Sequence, residues 1–482
     1  MDDLITLNKK IINNEININQ LYENIIDQIK NDELNIFAHT RIDKALFELQ
    51  TTDFSNKPFK GIPILIKNLG QELKGELNTS SSLLLKDYVS CHTDNIVKRL
   101  QDLGFIIIGQ TNTPEFGFKN TTTSKMYQTT LNALSKKHHA GGSSGGAAAA
   151  VSAGIVPIAL ASDGGGSIRI PASYHGLIGL KPSRGRIITG PVSHRGWQGA
   201  SIHFPITKTI DDTILMLDLL SDYIKESPYS IPKESTTFSE QVSSLKNKKL
   251  KIAYSITSPV NTKVTKEAVN AVLDIKEKLE KLGHTLVEAN PKYDGIKLIE
   301  SYYLMNAAEA NTLISDLTNQ PSLDNLEPLS YVLYHLGSNV NARNYIKAIN
   351  YWDEVSLIMD NFLNDYDFFL TPATNGSAPL LNSDSSEIDN LSLIKNVSNL
   401  GFNEQFDLLK NLFQKSLAKT PFSQIANLTG HPAISLPTYL DKTNNLPIGI
   451  QLISQRERED LLLYLGKELE LNNYFITKRE VK

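Results

Sequence analysis

Residues 140–180, which read AGGSSGGAAAAVSAGIVPIALASDGGGSIRIPASYHGLIGL, are the stretch around which this chain is organised. They contain two serines in glycine-rich settings, Ser143 in GGSSGG and Ser167 in DGGGS. Glycine lets the backbone approach a bound molecule closely and point its N–H groups at it. Serines in such settings suit a nucleophile and an adjacent oxyanion hole. Short side chains at 147–150 favour a helix packed tightly beneath the first serine.

Two other interpretations of the glycine-rich runs are weaker. A flexible Gly/Ser linker has no apolar block, whereas IVPIALA (155–161) separates these two runs. A phosphate-binding P-loop ends in Gly-Lys-Ser or Gly-Lys-Thr, and neither run has that ending.

The pattern of apolar residues predicts alternating strands and helices. GIPILIK (61–67) is typical of a short buried strand. Within the central stretch we expect a helix over 147–154, a strand over 156–162 and a turn at Ile170 and Pro171.

The remaining elements follow the same grammar. Helices are predicted within 1–50 and over 95–104, 209–224, 264–283 and 459–471, strands over 105–112, 176–186, 249–255, 433–440 and 447–454, a largely helical region over 296–420, and a polar surface connection over 226–249. This alternation favours an α/β fold with one mixed sheet flanked by helices.

The composition is that of an ordinary globular protein. Of 482 residues, 40% are hydrophobic and 21% are charged, and the net charge of −4 argues against nucleic acid as a partner. The single cysteine, Cys91, excludes an internal disulfide and fits a reducing compartment. The start MDDLITLNKKIINNE does not resemble a signal peptide, and no apolar run is long enough for a membrane helix. We therefore expect a cytoplasmic protein without a membrane partner.

The runs GGSSGGAAAAVSAG, SDGGGSIRIPA and GLKPSRGR, with GIPILIKN upstream, resemble the amidase signature family of serine hydrolases. The resemblance continues at FFLTPAT (368–374), IANLTGHPAISLP (425–437) and LPIGIQLIS (446–454). It implies an α/β fold with a single large mixed twisted sheet and helices on both faces. It also implies one domain over 1–482, with packing helices in 1–60, a core with the catalytic triad in 61–210, and a helical substrate-shaping region and closing strands in 211–482.

That family uses a Ser–cis-Ser–Lys triad. Residue by residue, the resemblance makes Ser167 the nucleophile, Ser143 the cis-peptide serine and Lys67 the base. The oxyanion hole would be backbone N–H groups of Gly164, Gly165 and Gly166, continuing to Ser167. A lysine can act as a base only when its surroundings lower its pKa from about 10.4, and an apolar strand such as PILI supplies that burial.

Other residues near these serines permit other hypotheses. His138 or His175 with Asp163 could complete a Ser–His–Asp arrangement around Ser167, although His138 lies in a lysine-flanked polar stretch. We expect instead that Asp163 pairs with Arg169 and fixes the glycine turn.

A metal site is the remaining alternative. Cys91, His92 and Asp94 have ligand side chains, but no second ligand pair accompanies them. The resemblance implies neither a metal nor an organic cofactor.

Two positions depart from the pattern of many relatives. Asn68 stands where they have an aspartate after the lysine, and His175 where they have a cysteine. Neither position belongs to the triad, so the resemblance still implies a serine amidohydrolase acting on a small-molecule amide. The motifs SDGGGSIRIPA and GLKPSRGR most resemble those of the branch with 6-aminohexanoate-cyclic-dimer hydrolases and broad amidases. A homodimer is one of the oligomeric states that the sequence leaves open.

Two other functions remain to be weighed. The A subunit of a tRNA-dependent amidotransferase, a glutaminase, typically reads GGSIRQP, and Ile170 replaces that glutamine here. A catalytically dead, ligand-binding member is the third interpretation, for which Asn68 is the sole hint.

Overall fold

A computed structural model describes residues 1–476, 480 and 481 of the chain. Its strands are β1 (Phe37–Thr40), β2 (Ile62–Lys67), β3 (Phe105–Thr111), β4 (Leu131–Asn132), β5 (Ser135–His139), β6 (Ala159–Asp163), β7 (Gly179–Lys181), β8 (Ile202–Ile206), β9 (Lys251–Tyr254), β10 (Thr285–Glu288), β11 (Phe368–Pro372), β12 (Ala433–Asp441) and β13 (Leu446–Ser454).

The helices are α1 (Leu4–Ile12), α2 (Ile18–Lys30), α3 (Ile42–Thr51), α4 (Asn95–Asp102), α5 (Gly145–Ala153), α6 (Arg169–His175), α7 (Ile210–Leu220), α8 (Phe238–Ser244), α9 (Lys266–Lys281), α10 (Gly295–Leu317), α11 (Pro328–Gly337), α12 (Ala342–Asn364), α13 (Ser386–Asp389), α14 (Leu391–Lys395), α15 (Phe402–Lys419), α16 (Gln424–Thr429) and α17 (Glu459–Leu471). In the part of the chain that the structure describes, no helix is long and apolar enough to cross a membrane.

Two groups of strands join into one mixed sheet. The first has the order β1-β3-β2-β6-β8 and the second the order β10-β9-β11-β13-β12-β7. A bridge between Ile178 and Thr207 connects them, with reciprocal N–H···O bonds of 3.0 and 3.2 Å. This confirms the α/β fold with a single mixed sheet.

The strands that end at Lys67 and Asp163 lie side by side. β2 pairs in parallel with both β3 and β6, and every residue of these three strands is buried. Buried parallel strands have continuous apolar sequences, as PILI in β2 and FIII in β3 do. The carboxyl ends of β2 and β6, at Lys67 and Asp163, therefore meet at one edge of the sheet, where ligands bind in open α/β sheets.

Helix α5 packs directly behind the first serine run. Its residues from Gly145 to Ser152 are all buried, and Gly154 ends it in the left-handed conformation at φ 82°. Alanine has the highest helix propensity and the smallest side chain that a helix interior favours, so the segment forms a helix that can lie close to the sheet.

The predicted turn at Ile170 and Pro171 is wrong. Helix α6 runs through both residues and ends at His175, with Gly176 as its C-cap. Proline is tolerated in the first turn of a helix because the N–H groups there have no intrahelical partner. The segment 226–249 also contains the short helix α8, whose Thr237 and Glu240 form a capping box.

An ion pair buried at the centre ties the sheet edge to the C-terminal half. Both Asp163 and Arg169 have fully buried side chains, and two guanidinium nitrogens of Arg169 lie 2.9 Å from the carboxylate oxygens. Arg169 also donates to the Ser423 carbonyl at 2.8 Å, to Asn427 Oδ1 at 2.6 Å and to Gln451 Oε1. Residues from β6, α6, α16 and β13 thus share one guanidinium.

Replacing Arg169 by methionine is expected to destabilise the fold strongly. The change leaves the Asp163 carboxylate buried without its partner, and breaking a buried pair in this way costs about 3–5 kcal/mol. A thermal melt of the variant checks this. Arg99→Met is the matched control, because Arg99 pairs with Asp222 at a half-exposed surface, where such pairs contribute about 1 kcal/mol or less. Equal melting temperatures for the two variants would contradict the structural role of Arg169.

Candidate active site

Lys67 is the last residue of β2, and its side chain is fully buried. Its Nζ lies 2.7 Å from Ser143 Oγ and 2.9 Å from Ser162 Oγ. Its backbone N–H donates to Gln71 Oε1 at 2.6 Å, which holds the end of the strand. The ammonium or amine of this lysine therefore meets two hydroxyls inside the protein.

Burial changes the protonation of Lys67. Removing the ammonium from water lowers the pKa of Lys67 to about 7, and the negative charge of Asp163 opposes only part of that shift. Near neutral pH a large fraction of this lysine is therefore the neutral amine, which can accept a proton. Burial and the charge of Lys67 also lower the pKa of the neighbouring His203 to about 4, so this imidazole is neutral.

A low lysine pKa does not by itself identify a base. Lys181 is also fully buried, and burial lowers its pKa to about 7 as well. Its Nζ, however, donates to the Pro182 carbonyl at 2.7 Å. The contact with Ser143 is what distinguishes Lys67.

Ser143 follows a cis peptide bond, Gly142–Ser143. Gly142 packs so closely that a Cβ there would lie 2.6 Å from the Thr121 backbone nitrogen, so a side chain does not fit. The next serine has a different environment: Ser144 Oγ donates to the Ser162 carbonyl at 3.1 Å and accepts from the Ser162 N–H at 3.3 Å. Ser144 therefore holds the end of β6, while Ser143 faces the lysine.

The glycine turn that carries Ser167 is built around the Asp163 carboxylate. This carboxylate accepts from the N–H groups of Gly166 at 2.7 Å and of Ile168 at 3.2 Å, besides its bonds with Arg169. Burial alone would raise the pKa of Asp163, but the charge and hydrogen bonds of Arg169 hold it well below its usual range. The turn therefore stays anionic at its centre at physiological pH.

Gly166 has a backbone that only glycine adopts readily. Its φ is 125°, and a Cβ there would lie 2.6 Å from Ser423 Oγ. Because its N–H already donates to Asp163, the N–H groups of Gly164, Gly165 and Ser167 are the ones in this turn with no acceptor among the described residues. Of the four N–H groups expected as oxyanion donors, that of Gly166 is therefore already engaged.

A cavity of about 280 Å³ brings the serines together, and we call it the polar chamber. Ser143, Ser162, Ser167 and Gly164 all line it. Ser167 is half-buried, and within the described chain it has no hydrogen bond to Ser143 or Lys67. Of the three residues expected from the sequence, Ser143 and Ser167 thus line one cavity, and Lys67 is in direct contact with Ser143.

Sequence reasoning missed Ser162 and His203. Ser162 supplies the second hydroxyl in contact with Lys67 Nζ, and His203 Nδ1 lies 3.1 Å from Gln71 Nε2. A signal for Ser162 existed, because it lies at the end of the strand predicted next to the glycine turn. Nothing in the sequence placed β8, and therefore His203, beside β6.

The aromatic residues near Ser167 were also unforeseen. Successive ring centroids lie 4.5–6.2 Å apart in a row of six side chains: Phe116, Phe118, Trp197, Tyr302, Tyr303 and Phe413. Two of them, Phe116 and Trp197, have φ of 50°, which bulky residues rarely adopt. Such strain persists where surrounding structure imposes it, and it concentrates at functional sites.

Among the described residues, neither His138 nor His175 is hydrogen-bonded to Ser167. His138 Nδ1 contacts Ser135 Oγ at 2.8 Å, and His175 Nδ1 contacts the Pro171 carbonyl at 2.9 Å. Burial lowers the pKa of His175 to about 4. Both imidazoles are thus engaged with other partners than the nucleophile candidate.

The region of Cys91, His92 and Asp94 has internal contacts of its own. His92 lies between two carboxylates, 3.2 Å from Asp94 and 3.5 Å from Glu72. No group of three or more histidine, cysteine or acidic side chains in the described residues is arranged to hold a metal ion.

Asn68 points away from the base. Its Nδ2 donates to Thr79 Oγ1 at 2.8 Å and its Oδ1 accepts from the Thr79 N–H at 2.9 Å. Asn68 therefore fastens the 79–81 loop to the end of β2, and its carboxamide is not a hydrogen-bond partner of the Lys67 side chain.

Comparisons with known proteins identify the family of the chain. The family model described as Amidase matches residues 20–463. A lipoamidase from Enterococcus faecalis is 37% identical over 95% of this chain, which spans only 61% of that relative's length. A 6-aminohexanoate-cyclic-dimer hydrolase from Paenarthrobacter ureafaciens is 29% identical over 95% of this chain and 92% of its own.

Solved structures give the same result. The structure of 6-aminohexanoate cyclic dimer hydrolase complexed with substrate superposes with a TM-score of 0.86 at 26% identity, covering 99% of this chain and 98% of its own. The A subunit of the glutamyl-tRNA(Gln) amidotransferase from Thermotoga maritima superposes with a TM-score of 0.74 at 25% identity, covering 96% and 94%. With the family match extending over most of its length, the chain belongs to the amidase family and hydrolyses carbon–nitrogen amide bonds.

Proposed function

We propose that this amidase cleaves a carboxamide through an acyl-enzyme on Ser167, with Ser143 and Lys67 as the proton relay. The observation that carries the proposal is the 2.7 Å contact between Lys67 Nζ and Ser143 Oγ at the wall of the cavity that Ser167 lines. A serine hydroxyl is a weak nucleophile and needs a base within reach. A neutral Lys67 supplies that base through Ser143.

During acylation one proton passes from Ser167 through Ser143 to Lys67, and one returns through Ser143 to the leaving nitrogen. Ser167 Oγ attacks the carbonyl carbon, its proton passes to Ser143 Oγ, and the proton of Ser143 passes to the Lys67 amine. The N–H groups of Gly164, Gly165 and Ser167 are the proposed donors to the oxyanion, because the turn leaves them without another acceptor among the described residues. When the C–N bond breaks, Ser143 gives a proton to the leaving nitrogen and regains one from the Lys67 ammonium.

Deacylation uses the same relay with water as nucleophile. Water loses a proton to Ser143 and attacks the ester carbon, and Ser167 recovers its proton when the carboxylic acid leaves. The sum is amide plus water giving acid plus amine, and the groups named for these steps need no cofactor.

Ser162 has a supporting place in this scheme. Its hydroxyl lies 2.9 Å from Lys67 Nζ, on the strand next to β2. We assign it the role of orienting the lysine amine toward Ser143, since it contacts the base rather than the nucleophile.

The substrates to test first come from the relatives. Lipoamide and the cyclic dimer of 6-aminohexanoate are the amides that the two relatives' names specify. Lys67, Ser143 and Ser167 come from residues 61–210, whereas Tyr302, Tyr303 and Phe413 come from the later helices. This supports the proposal that 211–482 shapes the substrate and 61–210 performs the chemistry.

Glutaminase activity for a partner is the alternative tested alongside. Ammonia release from glutamine, measured with and without the amide substrates in competition, separates it from amide hydrolysis. Nothing in the described site favours it, because Ile170 is buried in α6 where relatives of that type have a glutamine.

Ser167→Ala is expected to lower kcat by several orders of magnitude, because loss of a nucleophile leaves only binding and oxyanion stabilisation. Turnover of the better amide and labelling by a fluorophosphonate probe measure this. Mass spectrometry should find the probe on Ser167 in the wild type and nowhere in the variant. Ser243→Ala, an exposed serine on α8, is the control and should keep full rate and labelling. If the Ser167→Ala variant is still labelled and active, Ser167 is not the nucleophile.

Lys67→Ala and Ser143→Ala test the relay as a pair. Each is expected to lower kcat/KM by roughly 10²–10⁴, the range of general-base contributions. If both residues serve one proton path, the double variant falls little below the worse single variant. Steady-state kinetics of the four proteins, each checked by thermal melts, give the coupling. Fully additive losses in a folded double variant would mean that Ser143 acts apart from Lys67.

The same variants predict a pH dependence. The base must be neutral, so wild-type kcat/KM should fall as pH drops through about 7, where Lys67 becomes protonated. In Lys67→Ala this acidic limb should disappear, while the remaining rate stays low across the range. A limb that persists unchanged in Lys67→Ala would assign it to another group.

A further inference from the structure

Ser167 lines both the polar chamber and a second, smaller cavity. This aromatic slot, of about 50 Å³, is lined among others by Gly165, Ser167, Ile170, Tyr302, Tyr303 and Phe413. The polar chamber contains Ser143 and Ser162. A substrate carbonyl at Ser167 therefore has two directions in which its substituents can extend.

The aromatic slot adjoins a third space, the outer chamber. This space of about 280 Å³ is lined among others by His139, Leu329, Leu412 and Phe413. Lys119, Asn120, Phe413 and Ser416 line both the slot and the outer chamber. The Phe413 ring, stacked on Tyr303 with centroids 4.5 Å apart, thus stands where the slot meets the wider space.

The polar members of the slot are largely engaged elsewhere. The Lys119 ammonium is paired with Glu327 and Glu387, each at 2.8 Å. Asn120 Nδ2 donates to the Ser416 carbonyl and to Thr420 Oγ1, both at 2.9 Å.

The surface left to a ligand is mostly aromatic and aliphatic. Gln424 is the exception, because its buried Oε1 has no hydrogen-bond partner among the described residues and offers one polar contact. A largely apolar group gains free energy by leaving water for such a slot.

The position of the proton donor fixes which half of the substrate goes where. In the proposed mechanism Ser143 protonates the leaving nitrogen, so that nitrogen must face the polar chamber. The amine portion then extends toward the end of that chamber where Glu72, His92 and Asp94 lie. The substituent on the other side of the carbonyl carbon, the acyl chain, is left to the aromatic slot.

We propose that the aromatic slot is the acyl-binding site and that Phe413 sets which acyl groups it accepts. The slot is narrow, so it takes a slim unbranched acyl chain and rejects groups branched or ringed next to the carbonyl. The end of a longer chain passes Phe413 into the outer chamber. This inference rests on the proposed nucleophile and relay, and it adds the substrate class and its orientation.

Two series of p-nitroanilide and alkylamide substrates test the proposal. The first keeps the amine constant and varies the acyl group through acetyl, butanoyl, hexanoyl, octanoyl, pivaloyl and benzoyl. The second keeps hexanoyl constant and varies the amine. The variants are Phe413→Ala and the milder Phe413→Leu, with Phe406→Ala as control, because Phe406 lies on the same helix and stacks on Phe402 instead.

The expected result is a change of acyl selectivity alone. Relative to hexanoyl, kcat/KM for pivaloyl and benzoyl amides should rise at least about tenfold in Phe413→Ala, the size of effect that a change of pocket volume gives. Phe413→Leu should show the same trend to a smaller degree. The amine series should keep its order in both variants, and Phe406→Ala should match the wild type in both series.

Other outcomes are separable. If selectivity changes in the amine series instead, the substrate lies in the opposite direction and the proposal is overturned. If neither series changes in folded Phe413 variants while Ser167→Ala is inactive, the slot is not the acyl site but the proposed function stands. If Ser167→Ala remains active, the proposed function itself fails, and the orientation inferred from it is overturned as well.

Discussion

The buried ion pair between Asp163 and Arg169 is the interaction on which the site depends. Its carboxylate fixes the glycine turn by accepting hydrogen bonds from three backbone N–H groups, and its guanidinium reaches Asn427 and Gln451 in the C-terminal half. A buried pair of this kind contributes little net stability over a well-packed apolar alternative, yet either charge alone would be costly. The pair therefore fixes the position of the backbone that carries Ser167, because it binds both the glycine turn and residues of the C-terminal half.

The same burial that makes the pair rigid makes the lysine reactive. Lys67 ends a strand between two other fully buried strands, and its charge can be compensated only by hydroxyls and by the more distant Asp163. Desolvation therefore brings its pKa to about 7 without any neighbouring cation. Lys181 has the same burial, but its Nζ donates to a backbone carbonyl instead of meeting a serine. Burial thus lowers the pKa of both Lys67 and Lys181, and the position of Ser143 makes Lys67 the candidate base.

The sequence predicted the parts of the site whose physics is local. A glycine turn, an alanine-rich helix and an apolar strand ending in lysine each have a short-range signature, and all three elements exist close to the expected positions. The turn at Pro171 was misjudged because proline marks a break or a first helical turn with equal ease. His203, Tyr302 and Phe413 were missed for another reason: their relevance comes from strand order and from helices more than a hundred residues away, which one sequence does not encode locally.

This division between local and distant determinants has a consequence for substrate choice. The residues that we propose as relay and nucleophile lie on β2, on the turn before α5 and on the glycine turn, and strand pairing and the Asp163 carboxylate hold these segments in place. The aromatic slot is lined partly by the glycine turn and α6, but its residues Tyr302, Tyr303 and Phe413 come from α10 and α15. Substitutions at Tyr302 or Phe413 can therefore reshape the slot while the relay keeps its distances. Because Tyr302 and Phe413 lie on other elements than Lys67, Ser143 and Ser167, the acyl selectivity that we propose for the slot can change without altering the proposed relay.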